Sequence, residues 1–190
     1  MLTAAIAVLV LTIVLGVVYP LAITGISQLV FPGRASGSKV SFDGRVVGSS
    51  LIGQDFGGRP AYFQSRPSAT GYSGDVTYFS NLGPNSVDAR DAVRRNLAAY
   101  LARERPYDRV LSRQQVPVDA ATESASGVDP HISQANAWIQ AHRVAAVRRL
   151  SLARVDDLIS AHTDGRFLGL LGEPGVNVLQ LNIALEKERP

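Results

Sequence analysis

The chain has 190 residues, of which 46% are apolar and 18% charged, and that balance excludes a disordered polymer. Its 19 Lys+Arg against 16 Asp+Glu leave a formal charge of only +3, with cations and acids interleaved as in Arg103-Glu104-Arg105, so nothing points to nucleic acid as a partner. The absence of cysteine excludes a disulfide framework, a zinc ribbon, a thiol nucleophile and an iron–sulfur cluster.

Residues 1–33 carry no charged side chain; the first is Arg34. This run is longer than the apolar core of a signal peptide, has no basic residue before it, and ends without a small-residue cleavage site. It predicts one tilted transmembrane helix over residues 4–30, because a helix is the single-segment structure that satisfies every backbone hydrogen bond in lipid. Pro20 is expected to kink it. Gly16 and Gly25 permit close approach of another helix, and Gln28 can hydrogen-bond across such a contact. Orientation stays open on the residues alone, since Arg34, Lys39 and Arg45 follow the helix but long domains translocate regardless of charge.

Residues 31–38 read as a linker, with Ala35-Ser36-Gly37-Ser38 as a flexible joint, and 39–187 as a soluble domain. Asp43-Gly44, between Lys39–Phe42 and Arg45–Ile52, predicts a β-hairpin. Residues 53–86 are rich in Gly, Pro, Ser and Asn, yet Tyr62, Phe63, Tyr72, Tyr78 and Phe79 favour packing. Ser86 is expected to cap a helix to Arg105 with Val87, Val93, Leu97, Tyr100 and Leu101 on its apolar face. A short strand is expected around Gln115–Ala120. Ser133 caps a second helix, whose Trp138 reads as core, and Ser151 a third, closed by Gly165. Residues 177–187 fit either a strand or a helix behind an Asn177 cap, and their Leu, Ala, Glu and Lys favour helix. The fold class is α/β of the α+β type: one N-terminal transmembrane helix, then a single soluble mixed domain.

Catalytic signatures are missing: there is no phosphate-binding loop, dinucleotide fingerprint, zinc-protease motif or nucleophile elbow. His131, His142 and His162 read as hydrogen-bonded structural side chains. Ser124, Ser126, Asp129 and His131 form the nearest approach to a nucleophile cluster, but short-range grouping in a loop is better explained by turn chemistry. Gly169, Gly172 and Gly175 read as turns.

Several blocks in one order carry a resemblance. They are Val18-Tyr19-Pro20-Leu21 with Thr24-Gly25, residues 43–49 (DGRVVGS) leading to 51–54 (LIGQ), 62–71 (YFQSRPSATG) and 80–84 (SNLGP). Downstream lie 116–119 (VPVD), 125–133 (ASGVDPHIS), Arg143-Val144-Ala145 and 172–179 (GEPGVNVL). Together they resemble the C-subunit (KdpC) family of the Kdp potassium-transporting ATPases, over about residues 5–186. Family members usually carry a Ser-Gly-Gly run before Ser-Asn-Leu; here Val76-Thr77-Tyr78-Phe79 stands there.

The resemblance implies a single-span accessory subunit of a high-affinity potassium uptake complex. Its implied partners are a channel-like A subunit and a P-type ATPase B subunit, with a small F subunit as an optional further member. It implies a cytoplasmic N-terminus, an extracytoplasmic domain and a place in the cell (inner) membrane. It also implies a part in assembly and activity, and a catalytic-chaperone role that raises the ATP affinity of the B subunit. ATP and potassium are then handled by the complex; the residues predict no cofactor, metal or catalytic group on this chain. Gly16, Pro20, Gly25 and Gln28 are expected at the membrane interface, and Arg66, Asn81, Asp129 and His131 in the domain loops that meet a partner. Two other classes stay open on the residues: a stand-alone tethered domain binding a small external ligand at residues 59–85, and a tethered hydrolase using Ser126 and His131.

Overall fold

The computed structural model describes residues 1–75 and 80–188. Val76, Thr77, Tyr78 and Phe79, including the packing expected of the two aromatics, lie outside the described residues. The chain divides into two compact units, Met1–Ser49 and Ser50–Pro190.

In the first unit, α1 (Leu2–Ile13), one π-helical turn (Val14–Val18) and α2 (Tyr19–Val30) run on as a single helix. Its 29 residues are long and apolar enough to cross a membrane, and none is buried within the protein. The disturbance expected of Pro20 takes the form of a widened turn. Tyr19 N–H reaches five residues back to the Val14 carbonyl, just before the position that has no N–H to give. The expected joint is shaped rather than loose: α3 (Pro32–Ala35) follows at once, Gly37 N–H bonds the Arg34 carbonyl at 3.0 Å and Ser38 N–H that of Gly33 at 2.9 Å. The hairpin of β1 (Lys39–Phe42) and β2 (Arg45–Ser49) forms where expected, with a bulge in its register. Asp43 and Gly44 both adopt positive φ, 49° and 75°, as a two-residue turn matched to strand twist requires.

The second unit holds α4 (Val87–Glu104), a 3-10 turn (Arg113–Gln115), α5 (Val118–Ala121), β3 (His131–Ile132) and α6 (Gln134–Arg148). Then come α7 (Leu152–Ala161), β4 (Thr163–Asp164), β5 (Gly175–Asn177) and α8 (Val178–Lys187). The sheet is antiparallel in the order β3-β5-β4. Ser86, Ser133, Ser151 and Asn177 accept hydrogen bonds from the N–H groups of Ala89, Asn136, Arg154 and Gln180, so each expected helix start is a real cap. Core side chains come from α6 (Val144), α7 (Val155, Ile159), α8 (Leu181, Leu185) and the sheet (Ile132, Val176). Tyr100, Leu101, Leu111 and Ala120 form a further buried cluster.

Four expectations are corrected. Residues 115–120 form no strand: after Pro117 the chain makes the helical turn α5, which buries Ala120 and Ala121 and frees the Asp119 carboxylate to serve Ser133 and Asn136. Trp138 is 47% exposed, because the inward face of α6 belongs to Ala137, Ala141 and Val144. Val87 and Val93 are exposed while Tyr100 and Leu101 are buried, so α4 packs only through its C-terminal half. Gly165 does not close α7; the helix ends at Ala161, where His162 Nδ1 and Thr163 Oγ1 reach the Leu158 and Ile159 carbonyls at 2.8 and 2.7 Å. Residues 178–187 are helical, as favoured.

One ion pair is sealed inside this unit. Arg143 Nε donates to Glu104 Oε2 at 3.0 Å, with the two side chains 0% and 1% exposed. Arg103 Nε also donates to Glu104, at 2.7 Å. Removing one member of a buried pair strands the other charge, at a cost of about 3 kcal/mol. Glu104→Gln is therefore expected to lower the unfolding free energy by about 3 kcal/mol, read by chemical denaturation of the detergent-solubilised chain. A loss within experimental error would show that the pair is solvated.

Candidate functional site

The site is built on a segment with no regular structure. Residues 53–75 contain neither helix nor strand, yet Phe63 is fully buried. A buried backbone must find partners for its N–H and C=O groups. Here side chains of α6 and α8 supply them. Asn182 Oδ1 accepts from Phe63 N–H and Asn182 Nδ2 donates to the Phe63 carbonyl, both at 2.9 Å. Gln140 treats Gln64 the same way, at 2.8 and 3.1 Å. Each amide thus imitates a neighbouring strand. Arg143 Nη1 donates to the Pro60 and Tyr62 carbonyls, and Arg148 Nε to that of Ala61 at 2.6 Å. The guanidinium groups of Arg59 and Arg148 lie over the Tyr62 ring, 4.4 and 4.9 Å from its centroid.

Beyond this strap the chain is stapled to residues 123–131. Gly53 N–H donates to the Val128 carbonyl at 2.7 Å, and a side chain at Gly53 would collide with the Asp129 backbone. Arg66 Nη1 meets Asp129 Oδ2 at 3.0 Å, and Arg66 Nη2 reaches the Glu123 carbonyl at 3.4 Å. Arg66 Nε is buried without a hydrogen-bond partner among the described residues. Ser68 Oγ donates to the Gly127 carbonyl and accepts from the N–H groups of Thr70 and Tyr72. Asp129 Oδ1 accepts from His131 N–H at 3.0 Å, and His131 Nε2 lies 2.9 Å from Asp164 Oδ2.

Arg66, Asp129 and His131, named together as domain-loop residues from the sequence, are one connected chain of polar contacts. Asn81 is not part of it. It stands exposed with φ 53°, beside Ser80 and Leu82, which line a groove of about 170 Å³ together with Asn96 and Glu123. In the first unit Gly16 lies in the π turn and Pro20 in the first turn of α2. A side chain at Gly25 would meet nothing of this chain. Gln28 Nε2 points to the Ala35 carbonyl at 3.4 Å.

Next to the strap is a polar cleft of about 250 Å³, lined among others by Asp55, Gln64, Tyr72, Tyr100, Arg103 and Asn136. Sequence reading missed Gln64, Gln140, Arg143 and Asn182. A signal existed: Asn136, Gln140 and Arg143 repeat at helical spacing on the same face as Ala137, Ala141 and Val144. The cleft offers amides, two phenols and one guanidinium. Tyr100 Oη is hydrogen-bonded to Asn136 Oδ1 at 2.9 Å. Ser126 Oγ contacts Ser124 Oγ and accepts from Val128 N–H, while His131 Nε2 is turned to Asp164, so the pair forms no nucleophile–base dyad. Among the described residues no three His, Cys, Asp or Glu side chains converge as metal ligands do. The polar contacts hold residues 53–75 against residues 123–131.

Burial, and then the charge of Asp55, push the Tyr72 hydroxyl up to about 12 from 10.0. Its neutral form donates to the Arg66 carbonyl at 2.5 Å. A raised acid pKa stabilises the fold fully below pH 10 and loses that contribution between pH 10 and 12. Stability is expected to fall by about 2 kcal/mol across this window, and Tyr72→Phe should make the decline shallower. Identical pH profiles for both proteins in thermal unfolding would contradict this.

Comparison with known proteins gives a consistent result. The family model described as KdpC, the c chain of K+-transporting ATPase, matches residues 1–187. The chain is 50% identical over 184 residues to a potassium-transporting ATPase KdpC subunit from Polaromonas naphthalenivorans, covering 95% of this chain and 91% of that one. A second, from Sorangium cellulosum, is 50% identical over 184 residues, covering 95% and 94%. The protein of that name from Mycobacterium tuberculosis is 46% identical over 181 residues, covering 94% and 93%.

Proposed function

The chain belongs to the KdpC family of K+-transporting ATPase subunits, and from that premise we propose that it is the membrane-anchored assembly subunit of a high-affinity potassium uptake complex. The observation that carries the reading is a family match along nearly the whole chain, in a protein whose polar side chains fix its loops in place. Potassium is the cargo of the complex and ATP its fuel. The partners are a channel-like A subunit and a P-type ATPase B subunit, with a small F subunit as an optional further member. The Leu2–Val30 helix crosses the inner membrane with its N-terminus in the cytoplasm, and the Ser50–Pro190 unit stands outside.

This topology shapes the chaperone role. An outward domain has no contact with nucleotide on a cytoplasmic domain. A rise in the ATP affinity of the B subunit then passes through the membrane helix or the A subunit, as a shift between two states that bind this chain unequally. Arg66 and Asp129 hold the loop surface offered to the A subunit, and Gly16, Pro20, Gly25 and Gln28 are the contact positions along the membrane helix. The polar cleft supports a second reading, in which the domain binds a small external solute on its own.

Two variants separate these readings. A Cβ at Gly25 meets no atom of this chain within 4 Å, so Gly25→Leu is expected to leave the chain's own fold intact. Yield of the chain should be unchanged, while recovery of partner subunits in mild detergent and potassium-stimulated ATPase activity should drop about tenfold, equivalent to roughly 1.4 kcal/mol of contact. Arg66→Ala should likewise reduce recovery of the complex. Full recovery and activity in both variants would refute the contact roles of Gly25 and Arg66, whereas recovery of the unaltered chain without partner subunits would leave the stand-alone binder as the better account.

A further inference from the structure

Between β4 and β5 the chain throws out a small hairpin, Gly165 to Gly172, whose tip is apolar and uncovered. Phe167, Leu168, Leu170 and Leu171 are 69%, 78%, 80% and 62% exposed. Among the described residues of the Ser50–Pro190 unit, no other five-residue stretch holds four exposed large apolar side chains. Elsewhere such residues are scattered, which is ordinary for a protein surface.

The tip is not a loose tail. Phe167 N–H bonds the Leu171 carbonyl at 2.8 Å, and Leu171 N–H returns to that of Phe167 at 3.0 Å. Gly169 N–H bonds the Arg166 carbonyl at 3.0 Å and Leu170 N–H that of Phe167 at 3.2 Å. Leu168 and Gly169 hold positive φ, 53° and 75°, to turn the corner. Below the tip, Arg166 Nη2 is fixed to both carboxylate oxygens of Glu173 at 3.0 Å.

We propose that this hairpin is a membrane-dipping element, inserting Phe167, Leu168, Leu170 and Leu171 into the interface of a lipid bilayer. Three features favour lipid over a protein pocket. Backbone N–H groups entering hydrocarbon must be satisfied internally, and four of the five in the tip, those of Phe167, Gly169, Leu170 and Leu171, already are. No side chain from 167 to 171 is polar, so the tip offers a partner protein nothing to hydrogen-bond. The Arg166–Glu173 pair at the collar is charged and suits the headgroup region while the tip is buried. Covalent connection to the Leu2–Val30 helix also keeps a bilayer at high effective concentration around the hairpin. The inference rests on the reading of that helix as a span, but not on orientation.

The chain has no cysteine, so single-cysteine labelling is unambiguous. Leu170→Cys, Val110→Cys and Leu15→Cys are spin-labelled in the full-length chain, reconstituted in vesicles of phosphatidylethanolamine and phosphatidylglycerol. Collision with oxygen, which concentrates in lipid, is compared with collision with a water-soluble nickel chelate. Val110 is 84% exposed and serves as the aqueous reference. The label at 170 should favour oxygen several-fold more than the label at 110, and Leu168→Ser should reduce that ratio without altering the fold. A label at 170 as nickel-accessible as that at 110 overturns the proposal. So does a label that both reagents reach less well in the assembled complex, which would mean a protein contact. The label at 15 tests the span separately: water access there would overturn the span reading instead.

Discussion

A fully buried phenylalanine in a segment without helix or strand poses a problem of hydrogen bonding. Phe63 and its neighbours could not enter the interior unless something replaced the water on their backbone groups. Asn182 and Gln140 do so, each with one amide that donates and accepts as a strand would, and Arg143 and Arg148 close the remaining carbonyls. Arg143 could not be buried for this task without a counter-charge, and Glu104 at the end of α4 provides it. One requirement, satisfying five residues of irregular backbone, thus ties α4, α6 and α8 to the strap.

That tie shapes the surface of the unit. With residues 60–64 pinned, the next ones are positioned to meet 123–131, so Arg66 finds Asp129 and Ser68 finds Gly127. The result is a firm loop platform made from sequence that reads as flexible. Firm loops suit a subunit that must present one shape to its partners, because the ordering cost is met before association. The first unit follows a different rule. Its helix buries nothing within the chain, so its apolar face is satisfied only by lipid or by other helices.

What was legible in the sequence was local. Asp43-Gly44 specifies its turn by the φ values it tolerates, and Ser86, Ser133, Ser151 and Asn177 mark helix starts because each serves an N–H three residues on. The strap was not legible, since Gln64 and Gln140 lie 76 residues apart and Phe63 and Asn182 lie 119 apart. Trp138 misled because size suggested core, whereas close packing of α6 selected the alanines instead. Arg66, Asp129 and His131 were picked through family resemblance, and only the fold shows them in contact. The apolar run 167–171 is plain in the sequence, but only its Gly169 reads there as a turn, since hydropathy alone does not tell a tip from a core strand.

The most direct test of the strap is residue-resolved hydrogen–deuterium exchange on the full-length chain in detergent. The N–H groups of Phe63 and Gln64 should exchange as slowly as those of Val144 and Ala145 in the middle of α6, because both sets are released only by opening of the whole unit. Exchange at Phe63 and Gln64 as fast as at the exposed loop around Val110 would contradict the account. The strap would then be a mobile loop, and the platform it supports would have to be formed by the partners.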